Sequence, residues 1–187
     1  DTELAAVGLI QKSRRAIRIP ERIDEKVAAL LGYLIGDGHI SEVKRVIGLT
    51  SGDVDQADAF ASLVKDIFGV ECRKKKDGGR WRILFSSRNV QAFLKHLGLK
   101  TGVCARQKEV PEVILRSPKS VVAAFLRAYY DCDGYAGSAG VILSTSSESM
   151  SKTVQLLLLN FGILSRRRPQ NDGCWHVHTM GRSAVTF

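Results

Sequence analysis

Two nine-residue segments each place a carboxylate where an apolar stretch ends. Residues 30–38 read LLGYLIGDG and residues 126–134 read LRAYYDCDG, so Asp37 and Asp133 occupy equivalent positions 96 residues apart. The apolar residues before Asp37 have the spacing of one helix face, and the Asp-Gly pair follows directly. A carboxylate repeated at two helix ends suggests one paired site built from two copies of the same unit.

Small residues recur at every fourth position along both predicted helices. They are Ala28, Gly32 and Gly36 in the first copy, and Ala124, Ala128 and Cys132 in the second. Helices with such stripes can pack with their backbones close together when the stripes face each other. Asp37 and Asp133 would then emerge side by side at the same end of the helix pair.

Two neighbouring carboxylates repel each other, and a shared proton or a bound cation relieves the repulsion. Oxygen ligands on a tight scaffold favour Mg²⁺ or Mn²⁺. Metal ions held by carboxylates can stabilise the attacking and leaving oxygens during phosphodiester hydrolysis. The alternative interpretation is that each aspartate only ends its helix before a glycine turn.

Further repeated blocks indicate that most of the chain is a duplication. Residues 68–70 match 161–163, residues 80–83 match 174–177, and residues 87–93 match 181–187, at offsets of 93 to 94 residues. We therefore expect a basic lead-in at 1–23, a first half at 24–116 and a second half at 117–187. The second half has no counterpart of residues 94–116, so we expect it to be C-terminally incomplete.

Each half is predicted to fold as αββαββα, which makes the protein an α+β pair of duplicated halves. In the first half we expect helices after Asp24, over 54–68 and over 88–97, and strands at 39–43, 45–51, 70–76 and 80–86. In the second half we expect helices after Ser117-Pro118 and over 149–161, and strands at 135–138, 140–146, 163–169 and 174–179.

A formal net charge of +9 favours a polyanionic partner. Strand side chains alternate between the two faces of a sheet, so one face of each hairpin is expected to be basic and to fit a DNA groove. The residues predicted to bind DNA are Lys44, Arg45, Arg73, Lys75, Arg80, Arg82, Arg166, Arg168, His176 and His178. The alternative is a basic face that contacts only solvent.

Other protein classes fit the sequence poorly. No apolar run reaches the about 18 residues of a membrane span, and the N-terminus lacks the pattern of a signal peptide. Cys72, Cys104, Cys132 and Cys174 are widely spaced, which argues against a structural zinc site. Reduced thiols in an intracellular protein are the expected state of these cysteines.

With two such motifs, the chain resembles the single-chain LAGLIDADG homing endonucleases, and most of all the endonuclease domains embedded in inteins. Both nine-residue segments match the family motif at the terminal Asp-Gly and at the small and apolar positions. The first segment departs from it at Ile35, where the family name has an acidic residue, whereas the second keeps Asp131 and Asp133. The resemblance implies a pseudo-two-fold fold with central motif helices and antiparallel, saddle-shaped sheets that grip a long DNA site.

The resemblance also implies an active site. Asp37 and Asp133 would bind Mg²⁺ or Mn²⁺ and activate water, with help from the main-chain carbonyls of Gly36 and Cys132. Lys108 stands two residues before a Val-Pro pair, as a lysine often does in intein-embedded endonucleases, and would assist near the scissile phosphate. For Lys108 the alternatives are a simple phosphate contact or a surface position. The monomer would act as a pseudo-dimer on double-stranded DNA and leave short 3′ overhangs.

Two other functions are compatible with this scaffold. One is a DNA-binding regulator that does not cleave, and the other is an RNA-binding intron maturase. The presence of both Asp37 and Asp133 favours the endonuclease, because a protein that only binds DNA need not keep adjacent carboxylates near phosphates.

Overall fold

The structure, a computed structural model, describes residues 2–3, 17–138 and 140–186. Arg14 and Arg15, which contribute to the predicted basic lead-in, lie outside the described residues. None of the helices in the described ranges is long and apolar enough to cross a membrane. The chain forms two halves of the same architecture, each with one four-stranded antiparallel sheet.

The first half and the segment before it contain β1 (Thr2–Glu3), β2 (Arg22–Ile23), α1 (Glu25–Gly36), β3 (Gly38–Ser41), β4 (Val46–Ser51), α2 (Val54–Phe68), β5 (Arg73–Asp77), β6 (Arg80–Phe85) and α3 (Arg88–His96). Side chains cap the helices at their first turns. Asp24, Asp53 and Ser87 each accept a hydrogen bond from a backbone N–H at the start of α1, α2 and α3. α2 ends at Gly69, whose φ of 71° lies in the left-handed region that favours glycine.

The second half and the linker before it contain a 3₁₀ turn (Ala105–Gln107), α4 (Glu112–Leu115), α5 (Lys119–Asp133), β7 (Gly134–Gly137), β8 (Gly140–Thr145), α6 (Glu148–Asn160), β9 (Ser165–Pro169), β10 (Trp175–Thr179) and α7 (Arg182–Thr186). α5 follows Pro118, in agreement with the prediction from Ser117-Pro118. The Ser147 hydroxyl caps α6 by accepting a hydrogen bond from the Met150 N–H at 3.1 Å.

The two sheets have equivalent strand orders, β3-β4-β6-β5 and β7-β8-β10-β9. Leu49 pairs with Ile83 in the first sheet and Leu143 with Val177 in the second, and all four side chains are fully buried. One face of each sheet therefore belongs to the hydrophobic core, where α2 or α6 packs against it. The predicted duplicated α+β fold is confirmed.

The stripes of small residues bring α1 and α5 together at the centre of the molecule. A Cβ atom on Gly32 would lie 2.5 Å from the Phe125 carbonyl oxygen and 2.9 Å from the Ala128 Cβ. A Cβ atom on Gly36 would lie 2.4 Å from the Cys132 Cβ. Larger side chains at these glycines would force the helices apart, so the two glycines permit the close approach that sets the helix ends side by side.

Several predicted boundaries differ from the structure for local reasons. The strands predicted at 39–43 and 45–51 are shorter, because a turn occupies residues 42–45 and places Arg45 at a φ of 54°. The Lys44 N–H stabilises this turn through a 3.2 Å hydrogen bond to the Ser41 hydroxyl. The linker elements at 105–107 and 112–115 were not predicted, since they are too short to show a periodic pattern.

The described part of the lead-in packs on the first half. Its β2 pairs with β1, and Ile17 and Ile19 lie against the hydrophobic core. The Arg18 guanidinium donates hydrogen bonds to the carbonyl oxygens of Lys65 and Asp66, at 3.3 and 2.8 Å. These carbonyls belong to the last turn of α2, where a cation is favourable.

Candidate active site

Asp37 and Asp133 both lie where the central helices end. The Asp37 N–H donates to the Tyr33 carbonyl at 3.1 Å and closes α1, while Asp133 is the last residue of α5. The positive charge of Lys108 acts on both carboxyl groups, and the charge of Asp37 acts on Asp133. Lys108 also donates to the carbonyl of Gly36, next to Asp37, and lines one cavity with Asp133, so the structure places the three candidate catalytic side chains at one end of α1 and α5.

Both carboxyl groups are partly buried, and this burial raises their pKa values. The pKa of Asp37 is raised by desolvation, against the opposing effects of Lys108 and of a hydrogen bond with the Cys132 side chain. The pKa of Asp133 is raised by desolvation and by repulsion from Asp37, again opposed by Lys108. A bound cation would stabilise the ionised forms of both carboxyl groups, because its charge offsets their desolvation and their mutual repulsion.

The residues present fit a hydrated divalent cation rather than a closed protein cage. The described residues contain no group of three or more His, Cys, Asp or Glu side chains that could hold a metal ion. A cavity of about 110 Å³ beside Asp133 is lined partly by Lys108, Ser146 and Cys174 and has room for several water molecules. Mg²⁺ commonly binds one or two carboxylates and completes its shell with water and substrate phosphate, as this site allows.

Lys108 lies in the linker between the halves, and its side chain reaches the catalytic centre, which is the end of α1 and α5 with Asp37 and Asp133. Its Nζ donates a 2.7 Å hydrogen bond to the Gly36 carbonyl oxygen, one of the predicted main-chain metal ligands. Its own carbonyl oxygen accepts a 2.7 Å hydrogen bond from the Ser147 hydroxyl. Lys108 is therefore half-buried and held at both ends, so the surface-lysine alternative does not describe its position.

Other side chains near the centre were not singled out from the sequence. Gln56 of α2 is buried, and its amide donates to the Cys132 Sγ at 3.2 Å. The Tyr33 hydroxyl donates to the Asp131 carboxylate at 3.0 Å and so links α1 to α5. These contacts join residues 76 and 98 positions apart, and single-sequence periodicity carries no signal for such pairs.

The basic residues predicted in the first sheet share one face. Strand register pairs Lys75 with Arg82, and Asp77 with Arg80, so these side chains project on the same side. Arg73 projects with them because it is paired with Leu84, two residues along from Arg82. The Arg82 guanidinium also forms a 3.0 Å ion pair with Asp77. Lys44 and Arg45 lie in the exposed turn at the far end of the β3–β4 hairpin.

Lys74 and Lys76 project from the opposite face of the same strand. Lys76 is paired with Trp81, and the Nζ atoms of Lys74 and Lys76 lie 4.6 and 5.4 Å from the centre of the Trp81 ring. Lys74 also forms an ion pair with Asp58. Adjacent lysines on β5 therefore have different environments, which the period of two predicts.

The second sheet repeats this arrangement. His176 pairs with Arg168 and His178 with Arg166, so the four predicted DNA-binding residues of this half share one face. Arg167 points the other way, with its guanidinium carbon 4.2 Å from the centre of the Trp175 ring. Both sheets thus present a basic face on the side away from the core.

His39 and Tyr135 also lie on these faces. From the sequence His39 was interpreted as a surface or helix-end residue, and Tyr135 was not singled out. Each follows the Asp-Gly pair of its motif, and Tyr135 is 69% exposed. The register pairs His39 with Gly48 and Tyr135 with Ile142, on the same face as the basic residues. Counting the strand alternation from the buried positions of β4 and β8 could have found both residues.

The cysteines provide a test of how closed the centre is. Burial raises the pKa of the Cys72 thiol to about 12, and burial next to Asp37 also raises the pKa of Cys132, whereas Cys104 is exposed. Because the thiolate is the reactive form, we expect a maleimide to label Cys104 about 100-fold or more faster than Cys72 or Cys132 at neutral pH. Mass spectrometry of timed samples measures this, and fast labelling of Cys132 would mean that the centre is open.

The sequence matches the LAGLIDADG-like domain over residues 24–98 and 120–186, one segment in each half of the chain. It is 36% identical over 148 residues to the replication factor C small subunit of Methanocaldococcus jannaschii. It is 33% identical over 155 residues to an A-type ATP synthase subunit of Pyrococcus abyssi. These matches cover 78% and 82% of this chain but only 8% and 15% of the two relatives.

The fold is similar to that of the homing endonuclease I-DmoI, solved in complex with DNA and Mn. The TM-score is 0.67 at 16% sequence identity, and the match covers 89% of this chain and 95% of that chain. This likeness shows the two-half architecture and confirms the fold expected from the repeated motifs.

Proposed function

This chain belongs to the family of LAGLIDADG-like domains, and we propose that it is a site-specific double-strand DNA endonuclease that hydrolyses phosphodiesters with a divalent metal ion. The observation that carries the proposal is the grouping of three side chains at the junction of the two halves: Lys108 donates to the carbonyl of Gly36, next to Asp37, and lines one cavity with Asp133. A basic sheet face lies in each half, so one centre can serve a duplex held by both sheets. The alternative in which each aspartate only ends a helix does not account for this grouping.

The proposed cofactor is Mg²⁺ or Mn²⁺, held by the carboxylates of Asp37 and Asp133 with the Gly36 and Cys132 carbonyls as further candidate ligands. The Gly36 carbonyl would bind the metal only in exchange for its hydrogen bond from Lys108, so Cys132 is the carbonyl that is compatible with the Lys108 position seen here. A bound divalent cation would polarise the phosphodiester and lower the pKa of the attacking water. Lys108 would contribute a fixed positive charge beside the scissile phosphate, where negative charge increases in the transition state. The similar I-DmoI structure with DNA and Mn supports a divalent cation at such a centre.

The proposed partner is double-stranded DNA, bound by a monomer whose halves act as a pseudo-dimer. Arg73, Lys75, Arg80 and Arg82 would contact one half of the site, and Arg166, Arg168, His176 and His178 would contact the other half. Lys44 and Arg45 would reach the backbone beyond the end of the first sheet. Phosphate contacts would supply affinity, and the side chains in the groove would supply base readout.

We also propose that the domain is of the intein-embedded kind and works inside the cell, where its DNA substrate is. The chain spans less than a fifth of the length of either curated relative described above. Those relatives are parts of replication factor C in one case and of an ATP synthase in the other, two proteins of different description. A similar segment within two such proteins is the distribution expected of an inserted domain.

Lys75 and Lys76, which are adjacent on β5, provide a matched test of the DNA-binding face. Lys75→Ala removes a charge from the proposed DNA-binding face, so we expect the slope of log K against log salt to fall by about 1 and the affinity to fall up to about tenfold. Lys76→Ala removes the same charge from the opposite face and should change neither quantity appreciably. Fluorescence anisotropy at several salt concentrations measures both, and equal losses for the two variants would contradict the assignment of faces.

The proposed function is tested by selection followed by cleavage. The protein is incubated with a randomised duplex library in Ca²⁺, the bound duplexes are sequenced, and the recovered motif is then exposed to Mg²⁺. We expect one long motif to be bound and both of its strands to be cut after the change of metal. A bound motif that stays intact would favour a non-cleaving regulator, and preference for folded intron RNA over duplex DNA would favour a maturase.

A further inference from the structure

Ser147 is a fully buried serine whose hydroxyl makes two hydrogen bonds. It accepts from the Met150 N–H at 3.1 Å, which caps α6. It also donates to the Lys108 carbonyl oxygen at 2.7 Å, across 39 residues of sequence. The hydroxyl therefore ties the linker between the halves to the first turn of a helix in the second half.

The Lys108 side chain extends from this anchored point to the catalytic centre. Its Nζ donates to the Gly36 carbonyl at 2.7 Å, at the end of the first motif helix. A lysine side chain has a flexible four-carbon stem, so the position of its charge depends on what holds the two ends. Ser147 holds the main-chain end of Lys108, and Gly36 holds the ammonium end.

The pseudo-symmetry shows that helix capping alone does not require this serine. The equivalent residue in the first half is Asp53, which caps α2 by accepting from the Asp55 N–H at 2.8 Å. An ionised aspartate accepts hydrogen bonds but cannot donate one. Ser147 differs from a simple capping residue because its hydroxyl also donates a hydrogen bond to the Lys108 carbonyl oxygen.

We propose that Ser147 is a positioning residue for Lys108, which fixes the linker main chain so that the charge of the Lys108 ammonium group acts on both carboxylates. This inference rests on the proposed endonuclease function. Small displacements of a catalytic group lower the rate strongly, by about 100-fold for 1 Å. Loss of the serine hydroxyl should therefore slow cleavage through Lys108 while DNA binding stays intact.

The test compares Ser147→Ala with a matched capping variant, Ser87→Ala. The buried Ser87 hydroxyl caps α3 by accepting from the Val90 N–H at 3.2 Å, and it has no contact with Lys108 among the described hydrogen bonds. Both variants lose one cap, and Ser147→Ala also loses the hydrogen bond to the Lys108 carbonyl, so its Tm should fall further than that of Ser87→Ala. Single-turnover cleavage of the selected duplex should fall about tenfold to 100-fold in Ser147→Ala and less than about twofold in Ser87→Ala. Equal losses of cleavage would overturn the proposal.

A double-mutant cycle with Lys108→Met shows whether Ser147 acts through the lysine. We expect Ser147→Ala to slow the wild-type protein but to have little further effect in the Lys108→Met background. If the serine substitution slows both backgrounds by the same factor, Ser147 affects the centre by another route and the proposal is wrong.

A readout that needs no cleavage separates this inference from the proposed function. Acetic anhydride labelling followed by mass spectrometry measures how fast the Lys108 Nζ is acetylated in the free protein. We expect acetylation of Lys108 to be several times faster in Ser147→Ala than in wild type or Ser87→Ala, because the linker main chain is released. Unchanged acetylation would overturn the positioning role. If the wild-type protein cleaves no DNA, the endonuclease function is wrong. The rate of Lys108 acetylation would then still show whether Ser147 positions Lys108.

Discussion

Asp37→Asn and Asp133→Asn are each expected to lower the rate of double-strand cleavage by at least about 1000-fold, since divalent metal ions supply several kcal/mol of transition-state stabilisation. An amide is a weaker metal ligand than a carboxylate and cannot offset the cation's charge. The amide does not alter the basic sheet faces, so affinity for the target should stay within about threefold of wild type. Single-turnover cleavage in Mg²⁺ and anisotropy in Ca²⁺ measure the two effects.

Asp131→Asn is the matched control for this pair. Asp131 belongs to the same motif as Asp133, but its carboxylate accepts the Tyr33 hydroxyl and is exposed rather than grouped with Lys108. An asparagine oxygen can accept the same hydrogen bond, so cleavage by this variant should remain within about fivefold of wild type. A loss equal to that of Asp133→Asn would mean that the motif, and not the paired carboxylates, sets the rate.

The same asparagine variants should be more stable than wild type in the absence of divalent metal. Burial raises the pKa values of Asp37 and Asp133 above the ordinary value of 3.8, so the ionised carboxylates destabilise the folded state. This penalty is complete above the raised folded pKa values and absent below pH 3.8, where folded and unfolded carboxyls are both protonated. The variants should therefore have a higher Tm in EDTA at neutral pH. The increase should be about 2–4 °C for each kcal/mol of electrostatic destabilisation that the substitution removes.

The pH dependence identifies the cause of this stabilisation. As the pH falls through the raised pKa values of Asp37 and Asp133, the wild-type carboxyls protonate and the difference in Tm should shrink. Mg²⁺ should raise the Tm of wild type more than that of either variant, because binding to the folded state stabilises it. A difference in Tm that is the same at pH 4 and pH 7 would contradict the electrostatic account.

Gly32→Ala is expected to destabilise the protein by about 2 kcal/mol or more and to lower its Tm by at least about 5 °C, because the central helices are overpacked. The added Cβ would lie 2.5 Å from the Phe125 carbonyl oxygen, a main-chain atom that moves only with its helix. Alanine favours the helix over glycine by roughly 0.5–1 kcal/mol, which offsets only part of this loss. Thermal melts and urea titration measure the change.

Gly52→Ala is the control, because a Cβ atom there has no heavy atom within 4 Å. It should melt close to wild type. Gly32→Ala should also reduce cleavage at temperatures where it is folded, since separated helices move Asp37 away from Asp133. If Gly32→Ala and Gly52→Ala have the same Tm, the close packing of α1 against α5 is wrong.

The parts of the fold that the sequence predicted are those with local or repeated signals. Asp24 and Pro118 indicated where the central helices begin, and the small residues from Gly32 to Cys132 indicated how these helices face each other. The alternation along β6 separated Arg82 from Ile83, and the strand register confirms that separation. These signals suffice because helix and strand periods fix which side chains share a face.

The parts that the sequence could not predict depend on contacts between distant residues. The hydrogen bond from Ser147 to Lys108 exists only because the linker crosses the first turn of α6. Gln56 reaches Cys132 from another helix, and a polar residue on an amphipathic helix gives no indication of such a partner. Tertiary packing determines these contacts, so the support around the two aspartates becomes visible only in the structure.

Sequencing of double-strand ends produced from a randomised duplex library in Mg²⁺, with wild type and Asp133→Asn in parallel, most directly tests whether the paired carboxylates cut DNA. We predict that wild-type ends recur at one long motif, with the two strands cut at a fixed stagger. We predict that the variant yields no such ends while it still binds the motif in Ca²⁺. Equal cutting by both proteins at the same motif, or the absence of recurrent ends from wild type, would contradict the account.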